Sequence, residues 1–158
     1  IDEIKENNMT GFYNMLDTIK EKLLDNPFCN TVTYGDISQV DLNKKTIFPL
    51  SHFIVNNVAY TTNVITYDIG LIVMDVVDIS KDDVTDVFVG NNNEHDVFNT
   101  QQDVIISVLD ALSNGDLYAN LYQLNGTPTI EPFVDRFENR LAGWACTLSI
   151  DVLNDRAC

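Results

Sequence analysis

The chain has 158 residues, of which 45% are hydrophobic and few are Gly or Pro, so we expect one compact domain spanning residues 1–158. Its 24 acidic residues against nine basic ones give a formal net charge of −15 at pH 7, and a surface of that sign repels phosphate. This excludes a positively charged groove that grips nucleic acid, although an acidic wall past which DNA slides remains permitted.

The first predicted element is a helix that begins near Thr10 and ends before Asn26-Pro27. Its apolar stripe is formed at helical spacing by Phe12, Leu16, Ile19 and Leu23. A short strand is then expected around Val32 and Tyr34. Two longer runs, 47–60 and 62–79, are rich in β-branched and aromatic residues and predict an antiparallel hairpin with its turn near Tyr60 to Asn63.

A second helix is predicted from Glu94, with Asn93 as a candidate N-cap and Asn114-Gly115 as a glycine C-cap. Its apolar face consists of Val97, Gln101, Val104, Ile105, Val108, Leu109 and Leu112. The segment 116–122 reads as a short helical turn, and 126–139, with two prolines, as an extended edge strand. A last strand places Trp144, Cys146, Leu148, Ile150 and Val152 on one face.

The order α-β-β-β-α-β-β predicts an α+β fold, a mixed, largely antiparallel sheet with two helices on one face. The core of this fold is expected to span residues 10–154. Trp144, Leu148 and Ile150 should face Leu16, Ile19 and Leu109 across the helix–sheet interface.

The stretch from Asp75 to Asp96, "DVVDISKDDVTDVFVGNNNEHD", combines seven carboxylates with one lysine, Lys81. An EF-hand loop that begins at Asp78 would need glycine at position 6 and a carboxylate at position 12, but Asp83 and Val89 stand there. A solvated tether would not normally carry so many apolar side chains. We therefore interpret 75–96 as an acidic arm that contacts other subunits. Its predicted interface residues are Asp82, Asp83, Val84, Asp86, Val87, Phe88 and Val89.

The sequence contains no signature of catalysis or of metal or cofactor binding. Only two histidines occur, His52 in an alternating strand and His95 in the first turn of the second helix, and nothing in the sequence brings them together. The three cysteines, Cys29, Cys146 and Cys158, form no C-x-x-C pair and are expected to be thiols. No run approaches the ~20 apolar residues of a membrane span. We therefore predict no catalytic, metal-binding or cofactor-binding residue and no membrane partner.

Four segments carry a resemblance to known proteins: "TVTYGDISQVDLNKKTIFPLSHFIVNNV", "LIVMDVVDISKD", "NEHDVFNTQQDVI" and "GTPTIEPFVDRFENRLAGWACTLSIDV". With the order of the elements, they resemble the tail completion, or tail terminator, proteins of tailed bacteriophages, and most closely small uncharacterised proteins in the structural gene blocks of phages that infect Bacteroidetes. The resemblance covers most of Phe12 to Val152 and leaves Ile1–Met9 outside.

The resemblance implies a virion structural protein without enzymatic activity, assembled in the bacterial host cytoplasm as a head–tail connector or neck ring. Its partners would be identical subunits and other neck or tail proteins, such as portal, adaptor or tail-tube proteins, with DNA only as passing cargo. Two alternatives stay open. One is a small calcium- or ligand-binding domain that uses the Asp75–Asp96 carboxylates, and the other is an enzyme with a carboxylate pair.

Overall fold

The computed structural model describes residues 11–37, 47–77, 93–115, 122–136 and 140–153. Within these residues, two helices and six strands follow in chain order. They are α1 (Gly11–Leu24), β1 (Thr31–Tyr34), β2 (Leu50–Tyr60), β3 (Val64–Val76), α2 (Glu94–Asn114), β4 (Tyr122–Asn125), β5 (Ile130–Arg136) and β6 (Arg140–Leu153).

The strands form one mixed sheet in the order β1-β2-β3-β6-β4, with β5 also paired to β6. Only β1 and β2 are parallel among these pairs, and the others are antiparallel. The predicted α+β class, the element order and the hairpin between β2 and β3 are confirmed, with a turn at 61–63 closed by Thr61 and Val64. The structure adds one short strand, β4, which begins at Tyr122, the last residue of the run predicted as a helical turn. Residues 116–121 of that run lie outside the described residues.

β4 and β5 act as one interrupted edge strand, because both pair with the same side of β6. Asn125 lies opposite Ser149, and Ile130 lies opposite Cys146. Residues 126–129 therefore stand opposite only two residues of β6, and the excess chain bulges out of the sheet. Gly126 has φ of +80°, a conformation that favours glycine.

Both helices pack on the same face of the sheet. The buried cluster joins Met15, Ile19 and Leu23 of α1 and Val104, Ile105, Val108, Leu109 and Leu112 of α2 to Phe53, Tyr67, Ile69, Leu71, Val73, Cys146, Leu148 and Ile150 of the sheet. Leu16 and Trp144 pack against it as partly buried residues. This confirms the predicted contact between the last strand and the two helices.

The ends of α2 differ in detail from the prediction. Asn93 occupies the cap position, and its backbone carbonyl accepts a hydrogen bond from the Val97 N–H at 2.9 Å, but its side chain makes no capping bond to the helix. Gly115 follows the last helical residue in an extended conformation (φ −101°, ψ −153°), not the left-handed one. A Cβ there would lie 2.8 Å from the Cα of Ala111, so close approach to the last turn explains the glycine.

The opposite face of the sheet is covered at one end. Phe48, Leu50, Met74 and Leu141 form a second small cluster there, against which Ile37, Ile47 and Phe133 pack. Beyond this end no described element covers the helix-free face, and its centre is the floor of a groove.

Candidate functional site

The residues predicted to contact other subunits, Asp82, Asp83, Val84, Asp86, Val87, Phe88 and Val89, lie outside the described residues. The structure describes only the two ends of the Asp75–Asp96 arm. Asp75 and Val76 end β3, and Glu94 and Asp96 begin α2. The undescribed part of the arm is therefore 78–92, and both of its attachment points are known.

The two attachment points pack together. Val77 and Val97 are both buried, and they form a cluster with Ala142 of β6 that Phe98 partly covers. Ala142 is the register partner of Asp75, so this cluster lies on the helix-covered face at the end of β3. The acidic arm consequently leaves and rejoins the fold at one apolar anchor.

An apolar groove lies beside this anchor, at the β5 edge of the sheet. It has a volume of about 490 Å³ and is lined by Phe98, Pro132, Phe133, Val134 and Trp144. The rings of Phe98 and Trp144 meet edge to face, with centroids 5.6 Å apart. The Trp144 Nε1–H donates a hydrogen bond to the Phe98 carbonyl at 2.8 Å, so the polar atom of the indole is already satisfied.

The outer edge of β2 is open beyond its short partner β1, as far as the described residues extend. β1 pairs only with Leu50 to Phe53. Past this point the Val55 N–H donates to the Tyr34 hydroxyl at 3.3 Å, and a bulge separates Val55 from Asn57.

The main-chain direction along this edge follows from the register. The Phe53 carbonyl accepts from the Gly35 N–H, so odd-numbered residues of β2 direct their main-chain groups outward before the bulge. The one-residue bulge shifts this alternation, and Val58 and Tyr60 then present their N–H and C=O groups to the open edge. Their side chains are 51% and 74% exposed.

Exposed aromatic residues continue this edge toward α1. The Phe12 ring meets Tyr13 and Tyr34 edge to face, with centroids 6.1 Å and 6.5 Å apart. All three side chains are exposed. An open strand edge beside exposed aromatic side chains is typical of a surface that contacts another protein.

The opposite edge of the sheet is also open within the described part of the chain. β4 and β5 pair only with β6, and Val134 of β5 is 39% exposed. The sheet therefore presents two different edges on opposite sides. One is built from β2 and aromatic residues, and the other from a proline-containing strand beside the apolar groove.

A larger groove, of about 790 Å³, crosses the helix-free face. Its floor includes Ile54, Gly70 and Ala145, and its two walls carry the carboxylates Asp36 and Glu131.

His52 lines this groove but is buried, and both of its ring nitrogens have hydrogen-bond partners. Because the Gly35 carbonyl can only accept, the 2.6 Å contact assigns a proton to Nε2, and the Thr33 hydroxyl 2.7 Å from Nδ1 can then donate. Such a histidine fastens β1 to β2 and has no lone pair available to act as a base.

The other groups considered for chemistry do not converge on a site. His95 is exposed in the first turn of α2, on a different element from His52. Among the described residues there is no group of three or more His, Cys, Asp or Glu side chains that could hold a metal ion. Burial raises the pKa of the Cys29 and Cys146 thiols above the ordinary value of 9.0, although hydrogen bonds with Ser51 and Thr31 partly oppose this at Cys29. Raised pKa values make these thiols poor nucleophiles.

Neither helix in the described ranges has the length and apolar character needed to cross a bilayer. In the comparisons with known proteins, no family model and no curated protein matches the chain.

Proposed function

We propose that this chain is a non-enzymatic virion structural protein, a ring-forming subunit of the neck or tail of a tailed bacteriophage, of the tail completion or tail terminator type. The observation that carries the proposal is the pair of unlike open edges on opposite sides of one sheet. The four sequence segments that resemble these proteins support the same assignment.

Unlike edges matter because of symmetry. A dimer about a twofold axis uses the same patch on both subunits, whereas a ring needs two different patches that join head to tail. The β2 edge offers outward main-chain groups at Val58 and Tyr60, and the β5 edge offers apolar side chains. One subunit can therefore contact a neighbour on each side, and a constant rotation between neighbours closes the ring.

The charge balance fits passage of DNA through such a ring. A lumen rich in carboxylates makes no counterion-releasing contacts with phosphate, so DNA can move through without adhering. With nine basic residues against 24 acidic ones, identical subunits cannot neutralise one another. Partners in the portal, adaptor or tail tube are expected to supply the compensating positive charge.

The proposal is tested by the size of the purified chain and by a change at the β2 edge. Val58→Lys places a charge on the open strand, where lysine opposes strand pairing. Leu24→Lys is the matched control, because Leu24 is 42% exposed near the end of α1 and its replacement makes the same change of charge. Light scattering after size exclusion and electron microscopy of negatively stained particles measure the outcome.

We expect rings from the unmodified chain and from Leu24→Lys, and monomers from Val58→Lys. Equal ring formation by both variants would show that the outer half of β2 does not lie in the interface. A chain that stays monomeric at every concentration and binds calcium in a calorimetric titration would instead favour the ion-binding alternative. Turnover of a substrate lost on replacing His52 or His95 by Gln would contradict the absence of enzymatic activity.

A further inference from the structure

We propose that the larger groove on the helix-free face binds an amphipathic helix of a basic partner protein. The apolar stripe of that helix would lie on the groove floor, and its lysine or arginine side chains would meet the carboxylates of the two walls. The inference goes beyond the proposed function, because it depends on this groove and not on whether copies of the chain form a ring.

The floor of the groove is an apolar trough across the middle of the sheet. The register aligns Ile54, Gly70 and Thr147 in one row across β2, β3 and β6. The next row includes Ile72 and Ala145. Because two small residues, Gly70 and Ala145, stand at the centre of these rows, the floor is low there. An apolar side chain placed on it removes apolar surface of both molecules from water.

Both walls of the groove carry negative charge. Asp36 follows β1 on one side, Glu131 belongs to β5 on the other, and both side chains are exposed. Asp68 lies two residues before Gly70 in β3, and Asp151 lies four residues after Thr147 in β6, so the same face carries two more carboxylates along the strands. The lysine side chains that the structure describes belong to α1, which packs on the opposite face. A cationic partner is therefore attracted to the helix-free face, and an anionic one is repelled.

The separation of the walls matches the width of an α-helix. Four strand spacings separate β1 from β5, so the walls lie roughly 19 Å apart. A helix with its side chains is about 10–12 Å wide, which leaves roughly 4 Å on each side for the stem of a lysine or arginine. Such a helix would form a third layer on a sheet whose other face is already covered by helices.

The occupant is expected to come from another protein and not from a second copy of this chain. The apolar stripes of α1 and α2 are buried in the core of their own subunit, so neither helix can offer its stripe to a neighbour's groove. Each copy also carries a net charge of −15, so two copies repel each other. A basic helix has neither disadvantage.

Binding is measured with a synthetic helical peptide that stands in for the partner. It has about 14 residues, or roughly 21 Å of helix, with a leucine stripe flanked on both sides by lysines. A control peptide has the same composition in an order that spreads the leucines around the helix. Fluorescence anisotropy of the labelled peptides, titrated with the full chain, gives both affinities. We expect saturable binding of the first peptide and at least about tenfold weaker binding of the control, which cannot place leucines on the floor and lysines at the walls together.

Matched variants of the chain locate the floor of the binding surface. Gly70→Val raises the floor, and a Cβ there would meet nothing closer than the Asn56 amide nitrogen at 3.4 Å, so the sheet can accept it. Gly11→Val makes the same change at the start of α1, where a Cβ has open space. Gly70→Val should weaken binding at least about tenfold, and Gly11→Val should leave it unchanged. Thr147→Lys adds a positive charge at an exposed groove position and should also weaken binding, which keeps the test valid if Gly70→Val fails to fold.

A second pair of variants tests the charge of the wall. Glu131→Gln removes a carboxylate from β5, and Glu21→Gln removes an exposed carboxylate from α1. Glu131 is the wall residue to replace, because Asp36 also interacts with other parts of the chain. We expect Glu131→Gln to weaken binding about threefold at low salt and less at high salt, where the attraction is screened, and Glu21→Gln to have no such effect.

Four results would overturn the inference. They are the absence of saturable binding, equal affinity for both peptides, an equal effect of Gly70→Val and Gly11→Val, and an equal effect of Glu131→Gln and Glu21→Gln. A groove filled by the chain's own residues would give the first of these results. Light scattering on the same samples tests the proposed ring separately. A chain that forms rings and does not bind the peptide would contradict this inference alone, and a monomer that binds the peptide would contradict the ring alone.

Discussion

Leu148 offers the most direct measure of how the sheet is held to its helices. This residue lies in the middle of β6, is 4% exposed, and pairs in register with Ile69. Both side chains belong to the cluster that includes α1 and α2. Leu148→Ala removes three carbon atoms from this interface. At about 0.8 kcal/mol for each buried methylene, the transfer term alone is about 2.4 kcal/mol.

The remaining cavity adds to this value, because a close-packed interface relaxes only in part. We therefore expect Leu148→Ala to lower the free energy of unfolding by about 3–5 kcal/mol. The same strand supplies the control. Leu153 is 51% exposed at the end of β6, and Leu153→Ala should cost less than about 1 kcal/mol. Urea titration followed by Trp144 fluorescence measures both variants, and equal costs would show that the helices do not pack on this face of β6.

Two further predictions concern buried polar groups. Gln101 is 1% exposed, and its Nε2–H donates to the Phe28 carbonyl at 3.2 Å, while its Oε1 has no partner among the described residues. Gln101→Met should change stability by only about 1 kcal/mol, because it removes an unsatisfied acceptor together with one hydrogen bond, whereas Gln101→Glu buries a charge and should cost several kcal/mol. Equal effects of the two changes would contradict this account. In a Cys158→Ser background, the raised pKa values of Cys29 and Cys146 keep these thiols protonated after the unfolded chain has begun to ionise. The free energy of unfolding should therefore fall as pH rises above the ordinary thiol pKa of 9.0, and Ellman's reagent should label the folded chain slowly. Rapid labelling at neutral pH would refute the burial of both thiols.

The parts of the fold that the sequence predicted are those decided by local patterns. The stripe of α2 and the alternation of β6 each occupy one long segment, so periodicity identifies the buried side directly. In α1 periodicity identified Ile19 and Leu23, but the predicted Phe12 is 41% exposed and Met15 is buried instead. The β2–β3 hairpin was predictable for a related reason, because two β-rich runs are separated by a three-residue turn. In each case the residues that decide the structure are close together in the chain.

The missed features depend on residues far apart in the sequence. β4 has four residues, of which only Tyr122 falls in the predicted helical turn, and it is identified as a strand by its pairing with β6 at the sheet edge. The bulge after Val55 reverses which side chains of the outer half of β2 face each side of the sheet, and no local sequence pattern predicted it. Gly115 was predicted to end α2 as a glycine C-cap, and its extended conformation and close approach to Ala111 explain why glycine stands there.

The candidate interaction surfaces were the least predictable part. Phe98 belongs to a helix, Trp144 to the last strand and Val134 to an edge strand, so the groove exists only after long-range packing. The acidic stretch stands out in the sequence because unusual composition is a local property, and its role as an arm that contacts other subunits stays a prediction. Val77 and Val97 flank the carboxylates from Asp78 to Asp96, so the sequence offered them as candidate anchor residues. Their mutual contact could not be predicted from the sequence.

The negative charge and the open edges have opposite effects on the association of two copies of the chain. An open strand such as the outer half of β2 can pair with any extended chain, which makes a free subunit prone to aggregation. A net charge of −15 opposes this, because two approaching subunits repel each other before their edges can meet. In the proposed ring, attraction would come from apolar contacts at the sheet edges and from basic partners. On this proposal the acidic residues act on association, while the fold is held by the apolar interface between the two helices and the sheet.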